Sequence, residues 1–380
     1  MYGDARRRIG PSFIRRDRVK LGKVIVAMNE RSISTVAIEG RTVGPGHPCF
    51  FIAEAGSNHN GDLNIARRQI EIAARAGADA IKFQVFRANR MYPRNAGKSD
   101  YLKSPTPIYD IIESMELPYE WLPDLAGYCK EHGIVFLASV FDEESADQLD
   151  PYVSAFKIAS YEMTHVPLIE HVCRKHKPVI MSTGTATLEE VAESVEAFRK
   201  TGNTQLVLLQ CTGSYPTPLD SLNIRSMMTF ADRFEVPVGF SDHSRDPVVA
   251  PVSAVACGAS IIEKHFTLSN ELPGPDHPFA VEPAELSLMI QKVREAEQAL
   301  GQAQKPLEPV EHELRAFCRR SIFAVKDIKQ GETFTTQNIA VLRCGQNNPA
   351  LHPRDYQAVL GSTSTRVIAA DTSIRQDDFS

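Results

Sequence analysis

Eight short apolar runs recur between residues 50 and 264, each followed by a stretch whose apolar positions return every three to four residues. The runs are Phe50–Ala53, Ala80–Gln84, Ile134–Ser139, Ala155–Ala159, Val179–Ser182, Gln205–Gln210, Val236–Phe240 and Ile261–Lys264. Runs of this length without polar alternation fit strands covered on both faces. The intervening period predicts helices over Leu63–Ala76, Glu120–His132, Glu143–Leu149, Val166–His176, Leu188–Lys200, Leu222–Phe234, Pro247–Cys257 and Pro283–Leu300. Several close on a glycine before the next strand, as in Ala76-Gly77-Ala78-Asp79-Ala80 and Cys257-Gly258-Ala259-Ser260, where glycine serves as a left-handed cap. Ahead of them, residues 32–48 hold an alternating segment and a Glu39-Gly40-Arg41 turn, which reads as a hairpin. A long polar insertion with Pro93, Pro105 and Pro107 follows the second strand. Gly301–Cys318 reads as a linker, and residues 319–380 change to short β-rich segments (Ser321–Val325, Ile339–Arg343, Thr365–Ile368) broken by turns.

Eight strand-helix units over residues 49–300 predict a (β/α)8 TIM barrel, the hairpin plugging one end and a small β-rich domain following. A doubly wound open sheet is the rival, disfavoured because no GxGxxG follows any strand. In such barrels the reacting groups sit at the C-terminal ends of the strands. Here every end is polar. Lys82 and Lys157, with Ser139, Ser160, Ser182 and Ser241, are parts suited to a phosphate or enol phosphate, the lysines as point charges and the hydroxyls as donors. His243 and His265 end consecutive strands and suit Mn²⁺ or a similar divalent ion, with Glu54, Glu162 and Asp276 as neighbouring carboxylates. Plainer readings stand beside these. A serine there can be only a helix cap, a histidine only a structural hydrogen-bonder, and Lys82 only half of an ion pair. Lys157 or Lys264 could instead form a Schiff base. Cys211 reads as a small core residue.

Charge divides the chain. Residues 1–27 carry eight Lys/Arg against two Asp/Glu, so of the net −5 the remainder holds −11. An acidic body argues against nucleic acid as partner. The basic lead, residues 1–31, is expected to be disordered, and Met28 is an alternative start. No apolar run has the length of a membrane span, no secretory signal is recognisable, and seven scattered cysteines without a CxxC pair favour a reducing cytoplasm.

The strand ends carry a resemblance. Phe51-Ile-Ala-Glu-Ala-Gly-Ser-Asn-His-Asn-Gly-Asp62, Gly77-Ala-Asp-Ala-Ile-Lys-Phe-Gln84, Lys157-Ile-Ala-Ser160, Cys211-Thr-Gly-Ser-Tyr-Pro216, Gly239-Phe-Ser-Asp-His243, Glu263-Lys-His-Phe-Thr267 and Gly274-Pro-Asp-His277 together resemble the sialic acid (N-acetylneuraminate) synthase family. Arg320-Ser-Ile, Asp327-Ile-Lys-Gln-Gly-Glu332, Asn338-Ile and Leu342-Arg-Cys-Gly345 resemble the antifreeze-like (SAF) domain, and the likeness runs from about Ser32 to the C-terminus. It implies a transferase that condenses phosphoenolpyruvate with N-acetylmannosamine or a related 2-acetamido sugar, giving a nine-carbon 2-keto acid and phosphate. The alternative is a legionaminic or pseudaminic acid synthase acting on a diacetamido-trideoxy hexose. A Schiff-base aldolase and an inactive glycan-binding protein are further rivals.

Carried over, His243 and His265 would hold a divalent metal, Mn²⁺ preferred and Mg²⁺ or Co²⁺ possible. Lys82, Ser139, Lys157, Ser160, Ser182 and Ser241 would contact phosphoenolpyruvate. Glu54, Gln84, Tyr215, Asp276 and Glu162 would face the sugar or metal-bound water. The family's dimer is domain-swapped, and Arg343 matches the arginine that one subunit lends to the other's N-acetyl group. The chain departs from the family at Gly213, whose contact Ser214 could replace, and at Cys344 within Arg343-Cys344-Gly345. The insertion Arg90–Pro107 is a third departure, bearing on which sugar fits.

Overall fold

The structure, a computed structural model, describes residues 33–99 and 104–380. The basic extension expected over residues 1–31 lies outside the described residues. The chain divides after Gly301 into two compact units.

The first unit opens with an antiparallel hairpin, β1 (Val36–Ile38) and β2 (Arg41–Val43). Glu39 and Gly40 both take positive φ, the geometry a two-residue hairpin turn demands. Eight strands then close a parallel barrel: β3 (Phe50–Gly56), β4 (Ala80–Val85), β5 (Val135–Val140), β6 (Phe156–Ile158), β7 (Val179–Ser182), β8 (Leu206–Cys211), β9 (Val238–Asp242) and β10 (Ile261–His265), with β10 pairing back onto β3. The eight-unit pattern is thus the architecture found. Asp62 caps helix Leu63–Ala76 by accepting from Asn64 N, and Gly77 closes it at φ 88°. Thr187 and Glu190 form a capping box on helix Leu188–Lys200.

Side chains alternate along each strand, and this alternation divides the barrel interior into layers. Phe50, Ile52, Val135, Leu137, Ile180, Val207, Leu209 and Ile261 form one buried cluster with Val36, Ile38 and Val43, so the hairpin does plug the N-terminal end. Two residues further along the same inward faces stand Glu54, Lys82, Ser139, Lys157, Ser182, Cys211, Ser241 and Glu263. The opposite faces, such as Phe51, Phe83 and Phe240, pack under the helices. A dry floor and a polar layer therefore share one set of strands.

Gly239 occupies the inward face of β9 below Ser241. A Cβ there would lie 2.5 Å from Ile261 O and 2.7 Å from Leu209 Cδ2. Gly239→Ala is expected to destabilise the barrel by about 2–3 kcal/mol through overpacking, read as a lowered urea midpoint.

The polar insertion is less irregular than its composition suggests. The short helices Ala88–Met91 and Ile108–Ser114 bracket it, the first held by Glu116 Oε1, which accepts from Ala88 N at 2.7 Å. The stretch read as a linker likewise contains helix His312–Cys318. The second unit is built on an antiparallel pair, β11 (Arg320–Ala324) and β12 (Ile339–Arg343). Its own core includes Ile322, Phe334, Ile339, Val359, Ile368 and Ile374. The expected segment Thr365–Ile368 contributes an isolated bridge between Ile368 and Ile328 rather than a strand.

Candidate active site

Two buried lysines dominate the polar layer. Lys82 Nζ lies 2.6 Å from Glu54 Oε2 and donates to Ser139 Oγ at 2.8 Å. Lys157 Nζ donates to Ser182 Oγ at 2.7 Å and to Ile158 O at 2.9 Å. Glu263 stands between them, its carboxylate 3.9 Å from each Nζ, and accepts from Ser241 Oγ at 3.0 Å. All of these side chains are buried. Burial presses on every charge here, and partners decide the outcome. Glu263 is held below the usual carboxylate range because the two lysines outweigh burial. Glu54 is pushed up to about 7 because burial outweighs Lys82, with Glu263 adding repulsion. Burial lowers the Lys157 ammonium.

The imidazoles lie beside this pair of lysines, His243 and His265 having ring centroids 5.3 Å apart. His243 Nδ1 is 2.9 Å from Thr212 O, so with Nδ1 donating there the lone pair sits on Nε2, 3.9 Å from Cys211 Sγ. His265 Nδ1 is buried without a hydrogen-bond partner, 3.5 Å from Asp276 Oδ2. Burial, with His243 next, holds His265 well below its ordinary value, so the ring is neutral. Asp276 is pushed up to about 6 by burial. The Cys211 thiol, 3.6 Å from His243 Nδ1, is lowered by that imidazole against burial, and in turn raises His243. Among the described residues no three His, Cys, Asp or Glu side chains form a ready-made metal cluster. The two imidazoles are the groups that could hold one.

At Gly56 three predicted residues converge. A Cβ there would lie 3.4 Å from Asp276 Oδ2, 3.5 Å from Glu54 Oε1 and 3.7 Å from Gln84 Nε2. Gln84 donates to Glu54 at 3.1 Å. Gly56 has φ 56°, so the absent side chain both permits the turn and leaves space among these groups. Ser160 Oγ accepts from Gly184 N at 3.1 Å. The Tyr215 ring lies over His243 at 4.1 Å and meets His265 edge-on at 5.9 Å.

One predicted residue, Ser214, stands apart from the polar layer. Ser214 donates to Pro216 O at 3.3 Å, a local turn contact. Arg343 is exposed at the end of β12 in the second unit. Lys264, one candidate for a Schiff base, faces away from the polar layer. It is tied to Asp242 at 2.8 Å and to Ser244 O, bracing the loop that carries His243. Glu263 had no role assigned from sequence. Its signal was available, since it stands two residues before His265 and so shares that inward face. A cavity of about 580 Å³ lies beside the mouth, lined by Thr183, Thr185, Gln210, Thr212, Ser226 and Phe230, and neither lysine nor either predicted histidine lines it.

Glu162 is pushed up to about 8 by burial and retains a proton at neutral pH. The native state then binds a proton that the unfolded chain releases near 4.5, so stability falls as pH rises between those values. Glu162→Gln is expected to flatten that slope and to exceed the parent in stability above pH 8. The whole shift sets an upper figure of about 5 kcal/mol, reduced in practice by the solvent contact the side chain keeps. Urea midpoints at pH 6 and pH 9 check it.

Comparison with known proteins agrees with this architecture. The NeuB family model matches residues 69–305 and the SAF domain model residues 319–380. The chain belongs to the NeuB family. The spore coat polysaccharide biosynthesis protein SpsE of Bacillus subtilis is 43% identical over 360 residues, covering 90% of this chain and 96% of that protein. The N,N'-diacetyllegionaminic acid synthase of Legionella pneumophila is 37% identical over 340 residues, covering 87% and 94%. The crystal structure of the N-acetylneuraminic acid synthetase of Leptospira borgpetersenii, in complex with citrate, superposes with a TM-score of 0.67 at 32% identity, over 74% of this chain and 95% of that one. The chain is a synthase of the family that makes sialic, legionaminic and pseudaminic acids. Among the described residues no helix is long and apolar enough to cross a membrane.

Proposed function

We propose that this synthase condenses phosphoenolpyruvate with an N-acetylated amino sugar, releasing phosphate and a nine-carbon 2-keto sugar acid. The observation that carries the reading is one polar layer holding two buried lysines with their serines, a carboxylate between them and two neighbouring imidazoles. Lys82 and Lys157 meet the phosphate and carboxylate of phosphoenolpyruvate as point charges, and Ser139, Ser160, Ser182 and Ser241 supply hydroxyl donors. Glu54, near neutrality in its titration, can accept a proton from the water that adds to the enol carbon, and Gln84 fixes its orientation. Glu162, protonated at neutral pH, would be the group able to give one up.

His243 and His265 would hold a divalent ion, with Mn²⁺ the expected metal and Asp276 beside it. The unpartnered, neutral His265 Nδ1 fits such an ion. Bound there, the ion supplies Lewis-acid polarisation of the sugar's aldehyde. Arg343 would reach the N-acetyl group in a domain-swapped homodimer. Seven unpaired thiols accord with a reducing, cytoplasmic compartment.

The sugar is N-acetylmannosamine, its 6-phosphate, or a diacetamido-trideoxy hexose. The identity to a legionaminic acid synthase favours the last as the alternative to N-acetylmannosamine. Phosphate release from phosphoenolpyruvate with Mn²⁺, measured against these sugars in turn, tests the proposal. Release with one sugar establishes reaction and substrate together. No release with any of them, after chelation and metal re-addition, overturns it.

A further inference from the structure

Tyr161 follows Ser160 directly and is 57% exposed, yet its hydroxyl is hydrogen-bonded to the half-buried Tyr215. Tyr215 in turn lies over His243 at 4.1 Å and against Phe279 at 5.1 Å. An exposed aromatic ordinarily keeps its rotamer freedom, so this one loses entropy to hold a single partner.

The same spot has two further features. Thr185 adopts φ 64°, a left-handed backbone that β-branched residues rarely take. Gly213 has no side chain where a Cβ would fall 2.7 Å from Thr185 Cγ2 and 3.5 Å from the Tyr161 hydroxyl. The strained threonine and the ordered tyrosine can come together only because residue 213 is glycine. Strain and exposed aromatic surface gathered at the rim of a polar cleft are features of a ligand wall.

We propose that Tyr161 is a positioning residue for the amino sugar, resting on the function proposed above. Its ring would offer an apolar face to the sugar ring or acetyl methyl, and its hydroxyl holds Tyr215 over the two imidazoles beside the bound aldehyde. Gly213 and Thr185 set the width of this wall, so they bear on which acetamido sugar is accepted. Ser160, the neighbouring contact for phosphoenolpyruvate, is fixed by Gly184 N at 3.1 Å and not by the tyrosine hydroxyl, so the effect should fall on the sugar.

The test is steady-state kinetics of phosphate release with the sugar that the panel selects, varying each substrate while the other saturates. Tyr161→Phe keeps the ring and loses the hydroxyl. It is expected to raise the sugar's KM about fivefold to tenfold, the consequence of one lost hydrogen bond, with the KM for phosphoenolpyruvate and kcat within about twofold. Tyr161→Ala should raise the sugar's KM further, and Gly213→Ala should repeat the selective rise by displacing Thr185 and Tyr161. Urea midpoints of both Tyr161 variants should fall only slightly, by the worth of the one hydrogen bond to Tyr215, so both stay folded under assay conditions and the effect is separated from unfolding. An unchanged sugar KM in both Tyr161 variants, or an equal rise for both substrates, overturns the inference while leaving the reaction in place. A parent that releases phosphate with none of the sugars overturns the proposed function and this inference with it.

Discussion

Lys82→Met is expected to lose turnover by about 10³-fold or more and to destabilise the barrel by about 3–5 kcal/mol. The lysine stands 2.6 Å from Glu54 and 3.9 Å from Glu263, both buried. Without it, Glu263 keeps Lys157 as its remaining lysine, and Glu54 loses its lysine partner while Glu263 still repels it. A buried charge stripped of its partner is costlier than the pair is beneficial. Protonation offers partial relief. Glu54 already titrates near 7 and would move higher, so the stability deficit should grow as pH rises and shrink at pH 5. The double variant with Glu54→Gln separates the two roles. It removes the orphaned carboxylate, and most of the lost stability should return. Activity should not, because the cation and the carboxylate are both gone. Urea unfolding at pH 5 and pH 8, with phosphate release at saturating substrate, checks this. Parent-like turnover in Lys82→Met would place phosphoenolpyruvate elsewhere.

His265→Ala should reduce turnover below detection, about 10³-fold at least, with little change in fold. The ring makes edge contacts with Tyr215 and Phe279, and its Nδ1 has no hydrogen-bond partner to leave behind. His243 and His265 are the expected nitrogen donors, so losing one removes half of them. Mn²⁺ titration followed by the paramagnetic resonance of the free ion gives a readout independent of catalysis. The parent should deplete that signal at one equivalent, and the variant should not. Full parent activity after exhaustive chelation would sink the metal assignment.

These two effects come from neighbouring residues of one layer, and the sequence shows that layer unevenly. Lys82, Lys157, His243 and His265 were legible because each ends an apolar run, and strand ends in a parallel barrel face a common mouth. Glu263 was less legible because three ionisable residues follow one another there, and a linear pattern does not say which of them share a face. Period two resolves the matter: Glu263 and His265 face inward, and Lys264 between them faces outward to Asp242. The helices that bracket the insertion and the one before β11 were missed because their apolar positions are few, and single side chains such as Glu116 hold them instead.

The sequence by itself determined the eight strand-helix units, the plugging hairpin, the polar ring of strand ends and the separate β-rich domain. These follow from local periodicity and chain order, which a linear pattern records. Tertiary structure alone decided which carboxylate answers which lysine, that Glu54 titrates near 7 while Glu263 is held low, and that His265 is neutral and unpartnered. It also set Thr185, Gly213 and Tyr161 against one another across three separate loops. Those properties depend on distances of a few ångströms in a water-poor interior, where burial and each neighbouring charge change a group's chemistry. Such distances exist only once the barrel has closed.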